Sequence, residues 1–373
     1  MKTTSGTSMD IQPERLKNLF KGLVDIYSPP GKEEEIIAYA EAYLKDQGLP
    51  VTRQEVDDGR CNLIVLPEKD HEIDLCFVGH LDTVIAHDLD DYGFWEEEGL
   101  VHGLGTADMK AGCAAMIEAY TVVTRKKGKS PPVGLALVVG EEEDSLGAKT
   151  LMREYNFPWA IVGEPTNMMP CLGHYAYLEV LLRTRGKRAH SSMPELGRNA
   201  IDSMLKLLLK VSEYTESATN GLVYNIRELS GFPGGFVVPD TCEAWLDIHL
   251  PPNSRIDVLK TELEQLVETA GKTIKGLDAY LRFVDTHAGY HISADRPLIK
   301  KLKEVFQRAS LLWEPQDFRS HSDGNVLWAA GVDPIILGPG RLEEAHNPEE
   351  SVPFSQVVQA AQLYLDFALA LVR

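Results

Sequence analysis

Apolar and polar positions along this chain follow two different periods, and the points where the period changes outline its parts. Leu16, Leu19, Phe20, Leu23 and Val24 recur at the helical spacing, which predicts a helix from about Pro13. Ser28-Pro29-Pro30-Gly31 breaks that pattern, and a second helix is expected from about Lys32 to Gly48. Short apolar runs follow: Cys61 to Leu66, Asp74 to Val78, Val133 to Val139 and Ala160 to Val162. An Ala-rich helical stretch from about Met109 to Arg125 lies between the second and third of these. Strands alternating with helices argue for an α/β sheet.

The pattern changes from about His174. Strands are expected at Tyr177 to Arg183, Cys242 to Leu250 and Tyr280 to Val284, and helices at Asn199 to Glu213 and Arg255 to Ala270. That order predicts a small two-layer α+β unit. α/β character then returns, with a helix from Pro297 to Ser310, a Ser322-Asp323 loop, a strand at Pro334 to Leu337 and a helix from Phe354 to the end. The simplest topology is an α/β domain interrupted by an inserted unit. No internal repeat or low-complexity segment is present. The length of 373 residues accommodates two domains, because single cores stop growing near ~250–300 residues.

Composition narrows the function classes. A net charge of −19 disfavours nucleic acid and anionic membranes, which call for a basic face. No apolar run reaches the ~18 residues of a membrane span. Met1 to Met9 is polar, lacks the apolar centre of a signal peptide and reads as a tail. The five cysteines (Cys61, Cys76, Cys113, Cys171, Cys242) are scattered without a CxxC pair. They read as reduced thiols, and a cytoplasmic protein is expected.

The informative polar residues sit just beyond the strands, where open α/β sheets bind their ligands. In Gly79-His80-Leu81-Asp82-Thr83, His80 is a candidate metal ligand and Asp82 a carboxylate able to fix its tautomer, although HxD alone is weak. Asp108 lies in Gly103-Leu104-Gly105-Thr106-Ala107-Asp108-Met109-Lys110-Ala111-Gly112. It reads equally as a first-turn acid favouring the helix dipole and as a carboxylate bridging two ions, with glycines allowing close backbone approach. Glu141-Glu142-Glu143-Asp144 directly follows an apolar strand. A metal site wants two carboxylates there, so Glu142 is assigned as ligand and Glu141 as base, with Glu143 and Asp144 facing solvent. Glu164 in Gly163-Glu164-Pro165-Thr166, and His346 beyond Gly338-Pro339-Gly340, are weak signals singly. Together the set offers two histidines and several carboxylates, which suits zinc, with cobalt or manganese as substitutes.

The ordered series GHLDTV, GTADMKAG, GEEEDSLGA, VGEPT, GKRAHSSMPELGRNAI, SHSDG and GPG-to-AH resembles the zinc aminoacylase and carboxypeptidase superfamily over nearly the whole chain. That superfamily includes acetylornithine deacetylase, succinyl-diaminopimelate desuccinylase and carboxypeptidase G. The resemblance implies an α/β/α catalytic domain with a mixed sheet, residues 1–173 and 287–373, interrupted by a ferredoxin-like α+β lid and dimerisation domain, residues 174–286. It implies two divalent ions, one held by His80, Asp108 and Glu164 and the other by Asp108, Glu142 and His346. Asp82 would orient His80, and Glu141 would be general base and proton shuttle. His190, by itself an ordinary loop histidine, would reach the site of the partner subunit in a homodimer and stabilise the oxyanion.

Two positions depart from the superfamily pattern. A lid segment resembling Gly-Gly-x-x-x-Asn-Val-Val-Pro supplies a substrate-holding Asn in relatives, and here Phe236 stands in its place. The Arg expected thirteen residues later is His249. Neither replacement can form a bidentate carboxylate clamp. Arg341 is a substitute candidate, or equally a solvent-exposed loop arginine. The expected activity is removal of an acyl group from a small N-acyl amino acid. A carboxypeptidase or dipeptidase is the alternative, and a non-catalytic metal-binding partner subunit a remote one.

Overall fold

The computed structural model describes residues 10–67, 73–88, 90, 92–126, 132–217 and 221–371. The tail read at Met1–Met9, and the last two residues, to which the final helix was expected to run, lie outside the described residues. In chain order the first half forms α1 (Pro13–Val24), α2 (Glu34–Asp46), β1 (Val51–Asp57), β2 (Arg60–Val65), β3 (Leu75–His80), β4 (Trp95–Glu97), β5 (Leu100–His102), α3 (Ala111–Arg125), β6 (Val133–Val138), α4 (Leu146–Glu154), β7 (Trp159–Val162) and β8 (Cys171–His174). Then come β9 (Ala176–Arg185), α5 (Ala200–Ser217), β10 (Val223–Phe232), β11 (Thr241–Leu250), α6 (Ile256–Thr273), β12 (Asp278–His287) and β13 (Tyr290–His291). The chain closes with α7 (Pro297–Arg308), β14 (Gln316–Phe318), α8 (Asp323–Ala329), β15 (Asp333–Ile336), β16 (Ser351–Pro353) and α9 (Phe354–Ala370).

These elements fall into two compact units. One gathers the chain up to Leu172, Ile292–Phe318 and everything from Ser322. The other is Gly173–His291 together with the three residues Arg319–His321. The fold is a mixed α/β architecture with a large mixed sheet and separate antiparallel sheets.

In the first unit the strand order is β1-β2-β6-β3-β7-β15-β8. The four central strands β6, β3, β7 and β15 run parallel, and β1, β2 and β8 are antiparallel to their neighbours. β3, β6 and β7 are buried at every position, which is why they read as unbroken apolar runs rather than alternating ones. β1 was missed in the sequence because its exposed Thr52, Arg53 and Glu55 give it no apolar run. Ala111 to Val123 of α3 is buried throughout, and its small residues allow close approach to the sheet. A Cβ on Gly112 would sit 2.1 Å from the Gly163 carbonyl oxygen, so only glycine fits there. Buried polar groups tie the elements together. The Asn62 amide donates to Gln54 Oε1 and to the Gly147 carbonyl, both at 2.9 Å. Glu118 on α3 accepts from the Gln12 backbone N–H and from Arg15 through both oxygens.

The second unit has a four-stranded antiparallel sheet in the order β10-β11-β9-β12. β11 alternates between buried and half-buried positions, as a strand with one covered face should. Leu178, Val180, Leu182, Leu246 and Ile248 from the sheet pack with Met204, Leu207 and Leu263 from α5 and α6. The uncovered face carries a charge ladder, in which Arg227 meets Glu179 and Asp247.

Candidate metal centre

Each candidate ligand is delivered by an element of the first unit. β3 ends on His80, the β6 strand is followed by Glu141 and Glu142, and β7 is followed by Glu164. All three are carboxyl ends of parallel strands, where backbone N–H groups and loops converge. Asp108 comes from a turn rather than from the first turn of α3, which corrects the expectation of a helix starting at Met109. Thr106–Lys110 forms a wide π-type turn, and Asp108 itself is non-helical at φ −116° and ψ 96°. Gly103 and Gly105, at φ +135° and +77°, supply the backbone conformations that lead into it. His346 lies in the loop after β15, itself at φ +57°.

These side chains converge. His80 Nε2 lies 3.1 Å from Asp108 Oδ1, 3.7 Å from Glu164 Oε1 and 3.9 Å from Glu141 Oε2. His346 Nε2 lies 3.4 Å from Asp108 Oδ2 and 3.2 Å from Glu142 Oε2. Two groups able to hold an ion therefore share Asp108: His80 with Asp108 and Glu164, and Asp108 with Glu142 and His346. A third combination, His80 with Glu141 and Glu142, overlaps both. Glu143 and Asp144 are exposed.

Asp82 behaves differently from its expected carboxylate role. His80 Nδ1 is 3.0 Å from the backbone carbonyl of Asp82, whereas the nearer carboxylate oxygen is 3.8 Å away. The carboxylate has turned instead to accept the Glu142 backbone N–H at 2.9 Å through Oδ2. Asp82 thus links His80 and Glu142, with its main chain setting the imidazole tautomer and its side chain setting the Glu142 backbone.

The electrostatics fit a divalent cation. Burial pushes Glu164 up to about 8, with Asp108 adding to the rise, and burial likewise raises Glu142 and raises Glu141 well above the usual carboxylate range. Burial alone would raise Asp108 too, but hydrogen bonds with His346 and His80 outweigh it and hold it well below that range. Burial acts to lower His80, yet Asp108 and Glu164 raise it far above an ordinary imidazole. Hydrogen bonds to Asp108 and Glu142 push His346 up to about 11. Glu164 Oε1 and Asp82 Oδ1 are buried without a hydrogen-bond partner. So many carboxylates in a low-dielectric space are costly by themselves. The mixed imidazole and carboxylate donor set suits a divalent transition-metal ion.

The structure also brings in two acids that the sequence reading did not place here. Asp323, pushed by burial up to about 7, lies in the field of His80 and Asp82. It heads α8, whose N-cap Ser322 forms a capping box with Asn325, so the expected Ser322-Asp323 loop is a helix start. The helix spans seven residues, too few for its period to show. Glu350 accepts backbone N–H groups from the Asp108 turn.

The remaining candidates are not among these three groups. Arg341 pairs with Thr166 through the backbone, and its exposed guanidinium is 3.6 Å from Glu343. In the second unit, His190 and Phe236 are neighbours: His190 pairs with Val237, and the Ser191 N–H donates to the Phe236 carbonyl at 3.2 Å. His190 Nδ1 is 2.8 Å from Ser192 Oγ. The Phe236 side chain is 88 % exposed. His249 sits near the other end of β11, in one cross-strand row with Tyr177 and His287. It meets the Tyr177 ring at 5.2 Å.

The chain is similar to known proteins both in sequence and in fold. The chain is 28% identical over 336 residues to acetylornithine deacetylase of Vibrio parahaemolyticus, covering 86% of this chain and 87% of that one. It is 26% identical to a peptidase M20 domain-containing protein of Schizosaccharomyces pombe, over 94% of this chain and 83% of that one. In fold it is similar to a tripeptidase from Staphylococcus aureus, with a TM-score of 0.79 at 22% identity, covering 97% of this chain and 99% of the other. Human carnosine dipeptidase 1 has a TM-score of 0.75 at 14% identity, covering 97% and 98%. The family model for peptidase family M20/M25/M40 matches residues 76–370. The chain, a metal-dependent hydrolase, belongs to peptidase family M20/M25/M40.

Proposed function

We propose that this protein is a two-zinc amide hydrolase that removes the acyl group from a small N-acyl amino acid, of the acetylornithine or succinyl-diaminopimelate kind. The observation that carries the reading is Asp108, whose two oxygens face two separate histidine-carboxylate groups. His80, Asp108 and Glu164 would hold one ion, and Asp108, Glu142 and His346 would hold the other. Divalent ions bound there would supply Lewis acidity toward an amide carbonyl and lower the pKa of a bound water. Glu141 stands beside both groups and is not needed by either. It takes the proton of the attacking water and returns it to the leaving nitrogen. In a homodimer, His190 of one protomer would reach the site of its partner and donate a hydrogen bond to the oxyanion there.

The deacylase names among the curated relatives support the acyl amino acid as substrate. Phe236 and His249 leave the substrate carboxylate without the usual clamp, so Arg341 is assigned to it. A homodimer through the second unit is supported by the edge strand β10, where Val223, Ile226, Leu229 and Phe232 are exposed. The cytoplasm is the expected compartment, and no described helix is long and apolar enough to cross a membrane.

A panel of N-acetyl amino acids, succinyl-diaminopimelate and dipeptides, assayed with added zinc or cobalt, tests the reading. Hydrolysis of N-acyl amino acids is expected. Turnover of dipeptides alone overturns the deacylase assignment in favour of a dipeptidase or carboxypeptidase. His190→Ala should cut the rate with little loss of metal, and a normal rate removes His190 from the mechanism.

A further inference from the structure

Glu350 follows His346 by four residues and is 2 % exposed. Among the described residues its carboxylate accepts hydrogen bonds from main-chain N–H groups alone, with buried Lys110 in its electrostatic field. Oε1 accepts the N–H of Ala107 at 2.7 Å and of Asp108 at 3.0 Å, and Oε2 accepts the N–H of Gly105 at 2.8 Å. Its own carbonyl accepts the Gly103 N–H at 3.3 Å. The same turn is braced elsewhere by Thr106 Oγ1, which donates to the Gly103 carbonyl at 2.7 Å, and by buried Lys110, whose Nζ donates to the Ile26 carbonyl at 2.8 Å. Immediately after Glu350, β16 pairs with β5 through Ser351 and His102. One buried carboxylate therefore fastens the turn carrying Asp108 to the segment carrying His346.

We infer that Glu350 is a positioning residue for the shared metal ligand. It fixes the main chain at Asp108 so that the two carboxylate oxygens face His80 and His346 at the same time. The inference rests on the two-metal reading and deepens it. The turn is non-helical at Asp108, so regular helix hydrogen bonds do not hold it. Three convergent N–H groups aimed at one carboxylate perform that task. A bridging ligand needs both oxygens placed, so loss of the clamp should weaken both ion positions together. Partners that orient ligands in this way typically govern metal affinity by about 10- to 100-fold.

The test is zinc binding to the full-length protein by competition with a chromogenic chelator, beside the melting temperature of the metal-free form. Glu350→Gln keeps the shape but offers one carbonyl oxygen and turns an NH2 toward an N–H donor. Glu118→Gln is the matched control, because Glu118 is an equally buried carboxylate that holds Arg15 and Gln12 on another face of α3. The expected result is zinc affinity about 10- to 100-fold weaker at both positions in Glu350→Gln. Glu118→Gln should bind zinc as wild type does while melting lower. Wild-type zinc affinity in Glu350→Gln, even with a lower melting temperature, overturns the inference and leaves Glu350 a purely structural residue. If Glu350→Gln does not fold, Glu350→Asp takes its place. It retains the charge on a shorter arm and is expected to fold and to bind zinc more weakly, and unchanged affinity there overturns the inference equally. Wild-type protein that takes up no zinc overturns the two-metal reading and this inference with it.

Discussion

Asp108 Oδ1 lies 3.1 Å from His80 Nε2, although 28 residues separate the two in the chain. The contact joins the end of a buried parallel strand to a turn with no regular structure of its own. Asp108→Asn preserves the volume and removes the charge. Bound zinc should fall from two equivalents to below one, with affinity weakened by more than the roughly 10- to 100-fold expected for an outer partner. Metal analysis after exhaustive dialysis checks this, and two retained equivalents would remove Asp108 from its bridging role.

Glu141 is the carboxylate that neither of the two Asp108-sharing groups requires. Glu141→Gln should lower kcat by about 10²- to 10⁴-fold, the usual size of a general base contribution. Zinc content should stay at the wild-type level. Rapid turnover in this variant would show that the base is another group.

His174 is wholly buried, with its ring stacked on Tyr290 and Nδ1 2.8 Å from the Tyr175 carbonyl. Burial pushes it down to about 4. In the unfolded chain it returns to about 6.5. The unfolded state therefore takes up a proton in that window and the folded state does not. Its contribution to stability is complete above pH about 6.5, falls as pH drops through that range, and is lost by about pH 4, a total on the order of 3 kcal/mol. Thermal unfolding across pH 4 to 7, wild type against His174→Phe, should show a steeper acid-side loss in the wild type. Parallel profiles would refute this.

Gly112 and Gly163 meet where α3 crosses the end of β7. A methyl group on Gly112 would stand 2.1 Å from the Gly163 backbone oxygen. Gly112→Ala should destabilise the protein by about 3 kcal/mol, at the upper end of overpacking costs. It should also disturb Glu164, the residue next to Gly163, and so reduce zinc uptake. A melting temperature equal to wild type would mean that the helix can shift without cost.

Much of the centre could be read in one dimension, because its chemistry is local. His80, Glu141, Glu142 and Glu164 each follow an apolar run, and a polar residue just past a buried strand stands out by position. The buried parallel strands were legible for the same reason: both faces are covered, so the sequence is apolar without interruption. β1 and β10 were not, because an edge strand with exposed charged and polar positions carries no such run. The Asp108 turn stayed ambiguous between a helix start and a ligand loop, since glycines permit both.

What the sequence by itself determined is the set of candidate ligand types, their order and the strand ends that carry them. What only the tertiary structure decided is how they are held. The Asp82 carboxylate serves the Glu142 main chain rather than the His80 ring, a choice of side-chain direction that no spacing encodes. Glu350 grips backbone N–H groups more than 240 residues away, and every residue has such groups, so its partners leave no mark in the sequence. Ligands are chosen by side-chain chemistry and can be read along the chain. Their supports act through main-chain hydrogen bonds and burial, which exist only once the chain has folded.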